Sequence, residues 1–328
     1  SAGPAAGQRP SVTAEGKLDL EVEATRLKQL FQAGAGDGAS GRGSLKATFR
    51  TDGDSLPALM RGLTGTAAVT IKEMQGELHP IDDLSASLDA RPDATSLTVD
   101  ARFPKPQLEA DDAIAIVARN RGETAVTNNP VHGELRCKGH LWHCLAAGDV
   151  PAELSLVSGD SRLDFDGRAA FREGPGQVSG RLSFAGKRLA DWDGLVGDAL
   201  PQYGPYKLTA DVALTPHRQT FSDLALTVAN SDFSGRLDMR WRDKRPWLDA
   251  NLRSKRLNTE DFGSQNVEGQ QFAEKVRVPT GWLDWVRGKA QLAVGEMTIQ
   301  HGFTMSDVDT ALESDGRRLQ VHRYRAGL

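Results

Sequence analysis

Long apolar runs are missing from this chain. Nowhere in its 328 residues do about 18 consecutive apolar side chains occur, as a membrane-spanning helix requires. Aromatics are scarce at 6% and apolar residues reach only 39%, which excludes the classes defined by an apolar excess. Neither sign of charge dominates. Forty Lys+Arg face 44 Asp+Glu, interspersed, for a formal net charge of -4, so no field favours a polyanion and nucleic acid is not an expected partner. The motifs of common catalysts are absent too. There is no G-x-S-x-G elbow, and the Gly-rich run Gly34 to Gly43 lacks the G-K-[ST] ending of a phosphate loop and reads as a flexible surface loop. Glu109, Asp111 and Asp112 have no EF-hand-like spacing around them and read as a solvated turn. No enzyme, catalytic residue or cofactor is expected.

What the chain has is glycine and alternation. Thirty-four glycines and 15 prolines punctuate it too often for long helices. Between them apolar and polar residues alternate with period two, as in strands with one dry and one wet face. Leu18, Leu20 and Val22 show the pattern, which returns at Leu97, Val99, Ala101, Phe103, at Leu208 to Leu214 and at Leu224 to Val228. Asp52-Gly53, Gly159-Asp160, Asp166-Gly167, Gly174-Pro175-Gly176, Asn230-Ser231-Asp232 and Asp315-Gly316 are turn signals, so hairpins and antiparallel pairing follow. Arg317 to Arg325 reads as a last strand. Helical spacing is brief. Leu56, Leu59, Met60 and Leu63 follow Ser55 as a candidate N-cap, with Pro57 in the first turn and Gly65 beyond the end. Leu189 to Leu200, in which Trp192, Leu195 and Val196 share a face, and Thr280 to Val286 are further candidates.

At one strand per about 10 to 12 residues the chain makes on the order of two dozen strands. A few short helices cannot cover them. The dry face is therefore buried in a sandwich or barrel, or it lines a trough covered by a ligand, and alternation alone does not separate these. Ser1 to Pro10 lack the basic start and apolar stretch of a signal peptide and read, with the residues up to 14, as a linker or expression remnant. Residues 15–328 read as one continuous β region with sub-repeats near 15–105, 106–176, 177–262 and 263–328, a fragment of a longer chain.

The order of these elements resembles the AsmA-like family of Gram-negative envelope proteins, relatives of TamB among the repeating β-groove, bridge-like lipid-transfer proteins. Val178 to Phe262 carries the resemblance best: an amphipathic turn and a Pro-rich loop precede a strand, then Ser231-Asp232-Phe233-Ser234-Gly235-Arg236-Leu237 matches an S-D-F/L-S-G-x-L signature, and Leu257 to Phe262 a looser stop. Ser55 to Leu84 looks like another family element, and Pro279 to Leu328 like the start of a further repeat, whereas Gln107 to Asp149 departs from the pattern. The resemblance implies a mainly β fold, a long twisted antiparallel sheet curled into an apolar trough. It implies a periplasmic location, an inner-membrane anchor lying N-terminal to this sequence, and phospholipid or another acyl lipid as partner, moved between inner and outer membranes. Envelope protein partners are further candidates. With strands about 4.8 Å apart, about twenty would make a trough on the order of 100 Å long. The alternative is a non-enzymatic periplasmic scaffold or outer-membrane assembly factor with a self-buried sheet.

The period-two phase nominates a lipid-facing set: Leu18, Leu20, Val22, Leu97, Val99, Phe103, Leu163, Phe165, Leu182, Phe184, Leu208, Val212, Leu214, Leu224, Leu226, Val228, Leu237, Met239, Trp241, Leu292, Val294 and Ile299. Of Trp142, Trp192, Trp241, Trp247, Trp282 and Trp285, Trp241 is the best lining candidate, because it continues the Leu237, Met239 alternation. Cys137, His140, His143 and Cys144 form the densest chemical cluster. An oxidising envelope compartment favours a Cys137–Cys144 disulfide. Free thiols and metal are the rivals, although the C-x2-H-x2-H-C spacing matches no standard finger and His143 and Cys144 would point apart on a strand. His79, His132, His217, His301 and His322 are scattered without a partner motif.

Overall fold

A computed structural model describes residues 12–22, 40–75, 81–104, 129–146, 150–170, 176–196, 200, 203–242, 245–261, 287–299, 303–315 and 318–327. The chain divides into two units, residues 1–104 with 130–155, and 105–129 with 156–328. The first unit holds β1 (Val12–Val22), β2 (Ser40–Gly53), β3 (Thr64–Gln75), β4 (Ile81–Ala90), β5 (Ala94–Arg102) and β6 (Val131–Lys138). The division falls inside β7 (Val150–Ser158). The second unit continues with β8 (Ser161–Ala170), β9 (Gln177–Gly186), β10 (Tyr206–Leu214), β11 (Arg218–Val228), β12 (Ser231–Arg242), β13 (Arg245–Asn258), β14 (Arg287–Ile299), β15 (Phe303–Ser314) and β16 (Leu319–Gly327). Strand order equals sequence order, and the sheet does not close into a barrel. The protein is mainly β, with only short helices: α1 (Leu56–Arg61), α2 (Leu141–Ala146) and α3 (Asp193–Val196).

Sixteen strands are found among the described residues, fewer than two dozen, because many run 10 to 14 residues. From β1 to β6 and from β8 to β16 neighbouring strands pair antiparallel, except β13 and β14, which run parallel. Two turn signals mark something else. Asp52-Gly53 ends β2 and leads into α1, and Asp166-Gly167 lies inside β8 opposite Gly180-Arg181. Gly167 is needed there for close approach, since a Cβ would meet the Ser179 carbonyl oxygen at 2.2 Å and Gly180 Cα at 2.7 Å. Ser55 precedes α1 but makes no side-chain cap; its backbone carbonyl takes the Leu59 amide instead. Leu189 to Leu200 splits into a 3-10 turn at Leu189–Trp192 and α3, so Trp192 is buried while Leu195 and Val196 are exposed. His143 and Cys144 sit on α2, not on a strand.

A clamp recurs where the second strand of an antiparallel pair runs into one of these short turns. Thr95 Oγ1 donates to the Gly139 carbonyl at 3.1 Å. Ser161 Oγ lies 3.1 Å from the Arg188 carbonyl and donates to Asp191 Oδ2 at 2.8 Å. Ser231 Oγ accepts the Asn258 amide at 2.9 Å and donates to Asp261 Oδ2 at 2.6 Å, in the 3-10 turn Thr259–Asp261. The Ser–Asp pairs are separated by 30 positions in both cases. Such contacts satisfy polar groups left over where a ladder ends. The Ser231 to Leu237 signature is thus a piece of architecture. Asp232 accepts the amides of Lys255 and Arg256, two consecutive exposed residues that step the alternation of β13 so that Leu257 returns to the buried side. Gly235, at φ +142, lies where a Cβ would meet the Asn251 carbonyl oxygen at 2.1 Å.

Candidate functional site: an apolar face of the sheet

Directly paired residues share a face, so register sorts the side chains. In the second unit one ladder runs Leu163, Phe184, Leu208, Leu226, Phe233 across β8 to β12. A second pairs Phe165 with Leu182 and Ala210, and a third links Leu224, Gly235, Leu252 and Leu292. Beyond these, Gly167, Gly180, Val212, Phe221, Leu237, Ala250 and Ala290 align, as do Val178, Leu214, Gln219, Met239 and Leu248. Val228 pairs with Tyr206, Trp241 with Pro246, Val294 with Ser254 and Val308, and Ile299 with Phe303. All sixteen nominated residues of this unit fall on that one face.

The first unit repeats the arrangement. Leu18, Ala47, Ala67, Leu88, Leu97 and Leu135 occupy one ladder, Leu20, Leu45, Val69, Ala86, Val99 and Gly133 the next, and Val22, Gly43, Ile71, Leu84, Ala101 and Val131 a third. Leu18, Leu20 and Val22 are placed here by backbone register alone. Phe103 is buried just beyond β5.

Burial sets this face apart from an ordinary core. Leu and Phe are usually among the most buried residues, yet here Leu163, Phe165, Leu182, Phe184, Leu208, Leu226, Leu237 and Met239 are all only half-buried. The buried apolar positions are mostly Ala and Val, with Ile71, Phe103, Trp192, Tyr206 and Leu257 as the larger ones. Among the described residues the only other elements are turns and helices of six residues or fewer, and none of them forms a second layer over the Leu and Phe rows, although Trp192 of the 3-10 turn packs on Phe184 with ring centroids 5.5 Å apart.

The opposite face is polar. Arg181 pairs with Asp211 at 2.8 Å, Arg323 with Asp309 at 2.8 Å and His132 Nδ1 with Asp100 at 2.7 Å, all solvent-facing pairs of small energetic weight. Asp238 differs, being buried between Arg218 and Arg240. Burial pushes its carboxyl pKa up, but the hydrogen bonds and charges of the two arginines outweigh this and hold it at about 2.

Alternation missed part of the face. Phe221 is out of phase with Leu224 in sequence, but a register shift at Ser222 and Asp223, the latter at φ 47, returns it to the apolar side. Met297 joins Val294 through a similar step, packing on the Leu257, Val294, Val308 cluster. The Ser-Asp pair interrupting an apolar alternation was the available signal for Phe221. Trp192 lies off the strands, its indole N–H donating to Tyr206 Oη at 2.9 Å, and Trp247 lies on the polar face opposite Arg240.

Cys137, at the end of β6, is joined to Cys144 of α2 in a disulfide, and no cluster of three or more metal-ligating side chains occurs among the described residues. The His143 amide donates to His140 Nδ1 at 3.0 Å. His322 lies 3.0 Å from Glu313 and His217 in the turn between β10 and β11. Residues 1–11, most of Gly34 to Gly43, His79, Glu109, Asp111, Asp112, most of Gln107 to Asp149, Gly174-Pro175, Phe262, Thr280 to Val286 with Trp282 and Trp285, His301 and Gly316 lie outside the described residues, as does the side chain of Trp142. No protein-family model, curated protein or solved structure matches the chain.

Proposed function

We propose that the apolar face is a track for the acyl chains of phospholipid, and that the chain is a periplasmic section of a bridge-like lipid-transfer protein of the AsmA-like kind, working between inner and outer membranes. The observation that carries this reading is the set of half-buried Leu and Phe ladders over which no second layer lies among the described residues. Each CH2 kept from water is worth about 0.8 kcal/mol. An acyl chain laid across successive strands therefore keeps most of its shelter while it slides, and neither a nucleophile nor a nucleotide site is required. The sequence-ordered strands favour this role, because a ladder continues wherever the next strand supplies an apolar residue in register. A self-buried scaffold instead requires its Leu and Phe rows to be covered, which the only partial burial of seven such residues and Met239 argues against.

Native mass spectrometry of the purified chain, followed by solvent extraction, tests the reading. Co-purifying phospholipid that leaves on extraction is the expected result. A lipid-free protein that takes up no phospholipid from vesicles sinks it. Val212 is a poor probe of the same idea, because it is 4% exposed between Gly180 and Phe221. Val212→Asp buries an unpaired charge and is expected to cost on the order of 3–5 kcal/mol, whatever the protein carries.

A further inference from the structure

On the polar face of the second unit, we infer that Arg218, Arg236 and Arg240 form a binding site for a phosphate oxyanion, organised from beneath by Asp238. This rests on the side of the sheet away from the apolar ladders and is independent of the acyl-chain reading. The three arginines, with Asp238, Asp249 and Asn251, line one depression across β11 to β13. Asp238 is the pin. Its side chain is 6% exposed, whereas those of Arg218, Arg236 and Arg240 are 50%, 59% and 43% exposed. Asp238 Oδ2 accepts both Arg218 Nε, at 2.9 Å, and Arg218 Nη2, as well as Thr220 Oγ1 at 3.2 Å, and Oδ1 accepts Arg240 Nε at 2.8 Å. Arg236 reaches only to 3.8 Å, beyond hydrogen-bond length.

A guanidinium has more N–H donors than these bonds consume. Arg218 is therefore held through Nε and Nη2 and Arg240 through Nε, each with donors to spare, and Arg236 stands beside them. Prior ordering removes much of the side-chain entropy that an exposed arginine loses on binding. Three cations in one depression exceed the charge of Asp238 and Asp249 together. Register adds Arg253 and Arg287 on the same face, so this region is locally positive in a chain of net charge -4. Three converging guanidiniums match the several oxygens of a phosphate better than the two of a carboxylate, and the one carboxylate that fits this geometry, Asp238, already occupies the floor.

The test follows the arginine Nε–H resonances of the full chain by NMR. One arm adds inorganic phosphate. Another adds phosphatidylcholine vesicles with and without phosphatidylglycerol, and a third adds poly-glutamate. Shifts of the Arg218, Arg236 and Arg240 signals with inorganic phosphate alone support a site for the free ion. Shifts only with phosphatidylglycerol vesicles support a site for a phosphodiester headgroup. In either case Arg236→Gln is expected to weaken binding about tenfold with an unchanged thermal midpoint, since Arg236 makes no close contact with Asp238, and Asp249→Asn is expected to tighten it. Silence in both phosphate arms, a response to poly-glutamate alone, or wild-type affinity in a folded Arg236→Gln variant overturns the assignment.

Discussion

The two units build the same kind of apolar face but fasten and fill it differently. In the first, the turn after β6 is held covalently by Cys137–Cys144, with Thr95 bonded to Gly139. In the second, the turns after β9 and β13 are held by Ser161–Asp191 and Ser231–Asp261. The middle ladder of the first unit contains Leu45, Val69, Ala86 and Val99, whereas Leu163, Phe184, Leu208, Leu226 and Phe233 stand together in the second. One hydroxyl-to-strand-end contact thus tolerates either a crosslink or a carboxylate as its reinforcement. The face, for its part, tolerates different side-chain volumes provided the register is kept.

Removing the crosslink is the strongest way to break this comparison. Closing a loop of seven positions restricts the unfolded chain by about 2–3 kcal/mol in the chain-entropy model. Cys137→Ser with Cys144→Ser is therefore expected to lower the protection of β5 and β6 amides against hydrogen exchange by that amount, leaving β9 to β13 unchanged. Equal losses in both units would mean that the disulfide is not a local clamp.

The hydroxyl clamps come next. Ser161→Ala and Ser231→Ala each remove a donor to a carboxylate and are expected to cost about 1–2 kcal/mol in urea unfolding. A double-mutant cycle of Ser231→Ala with Asp261→Asn should return a coupling of about 1 kcal/mol. Additive losses would detach Ser231 from Asp261 and leave the repetition of the two pairs without energetic content.

Acid sharpens the contrast with a smaller effect. All three buried carboxylates among the described residues, Asp191, Asp193 and Asp238, belong to the second unit. Asp238 titrates at about 2 in the folded protein, against about 3.9 in an unfolded chain. Because the folded value is the lower one, its contribution is complete above about pH 4 and is lost as pH falls toward 2. Exchange protection of β11 and β12 should therefore fall through that window, and Asp238→Asn should flatten the fall. An unaltered acid profile in that variant would assign the loss to other groups.

Much of the apolar face was legible in the sequence, because a strand writes its two faces as period two and hairpin signals fix direction. Leu208, Leu226 and Leu237 declare themselves in this way. What stayed hidden depends on tertiary contacts. Phe221 and Met297 lie beyond steps in the alternation that no local rule counts, and Gly167 looks like a turn until Gly180 is placed opposite it. The parallel pairing of β13 with β14 is equally unreadable, since it depends on how the chain returns after Asp261. The Arg218, Arg236, Asp238, Arg240 group was invisible for a different reason. Alternating arginines and aspartates read as an ordinary wet face, and only packing shows that one of the carboxylates is buried.

The smallest expected effect on stability is the one that bears most on function. Leu226 and Val69 are both half-buried on the apolar face, the first between Leu208 and Phe233, the second between Leu45 and Ala86. An arginine at either site can lay its methylene stem on the neighbouring rows and carry its guanidinium out to water, so Leu226→Arg and Val69→Arg are each expected to cost less than about 1 kcal/mol. On the proposed reading, acyl chains sliding along the ladders meet the strands in series, so one charge in their path hinders transfer however little it disturbs the fold. The hindrance should be greater at Leu226, where Phe184 and Phe233 already fill the row, than at Val69, where Ala67 and Ala86 leave room beside the intruding side chain. Thermal midpoints measured beside phospholipid transfer between donor and acceptor vesicles decide the matter in the full chain. Impaired transfer with nearly constant midpoints, larger for Leu226→Arg, supports a shared acyl track of unequal width. Undiminished transfer by both folded variants would show that lipid does not travel over these ladders.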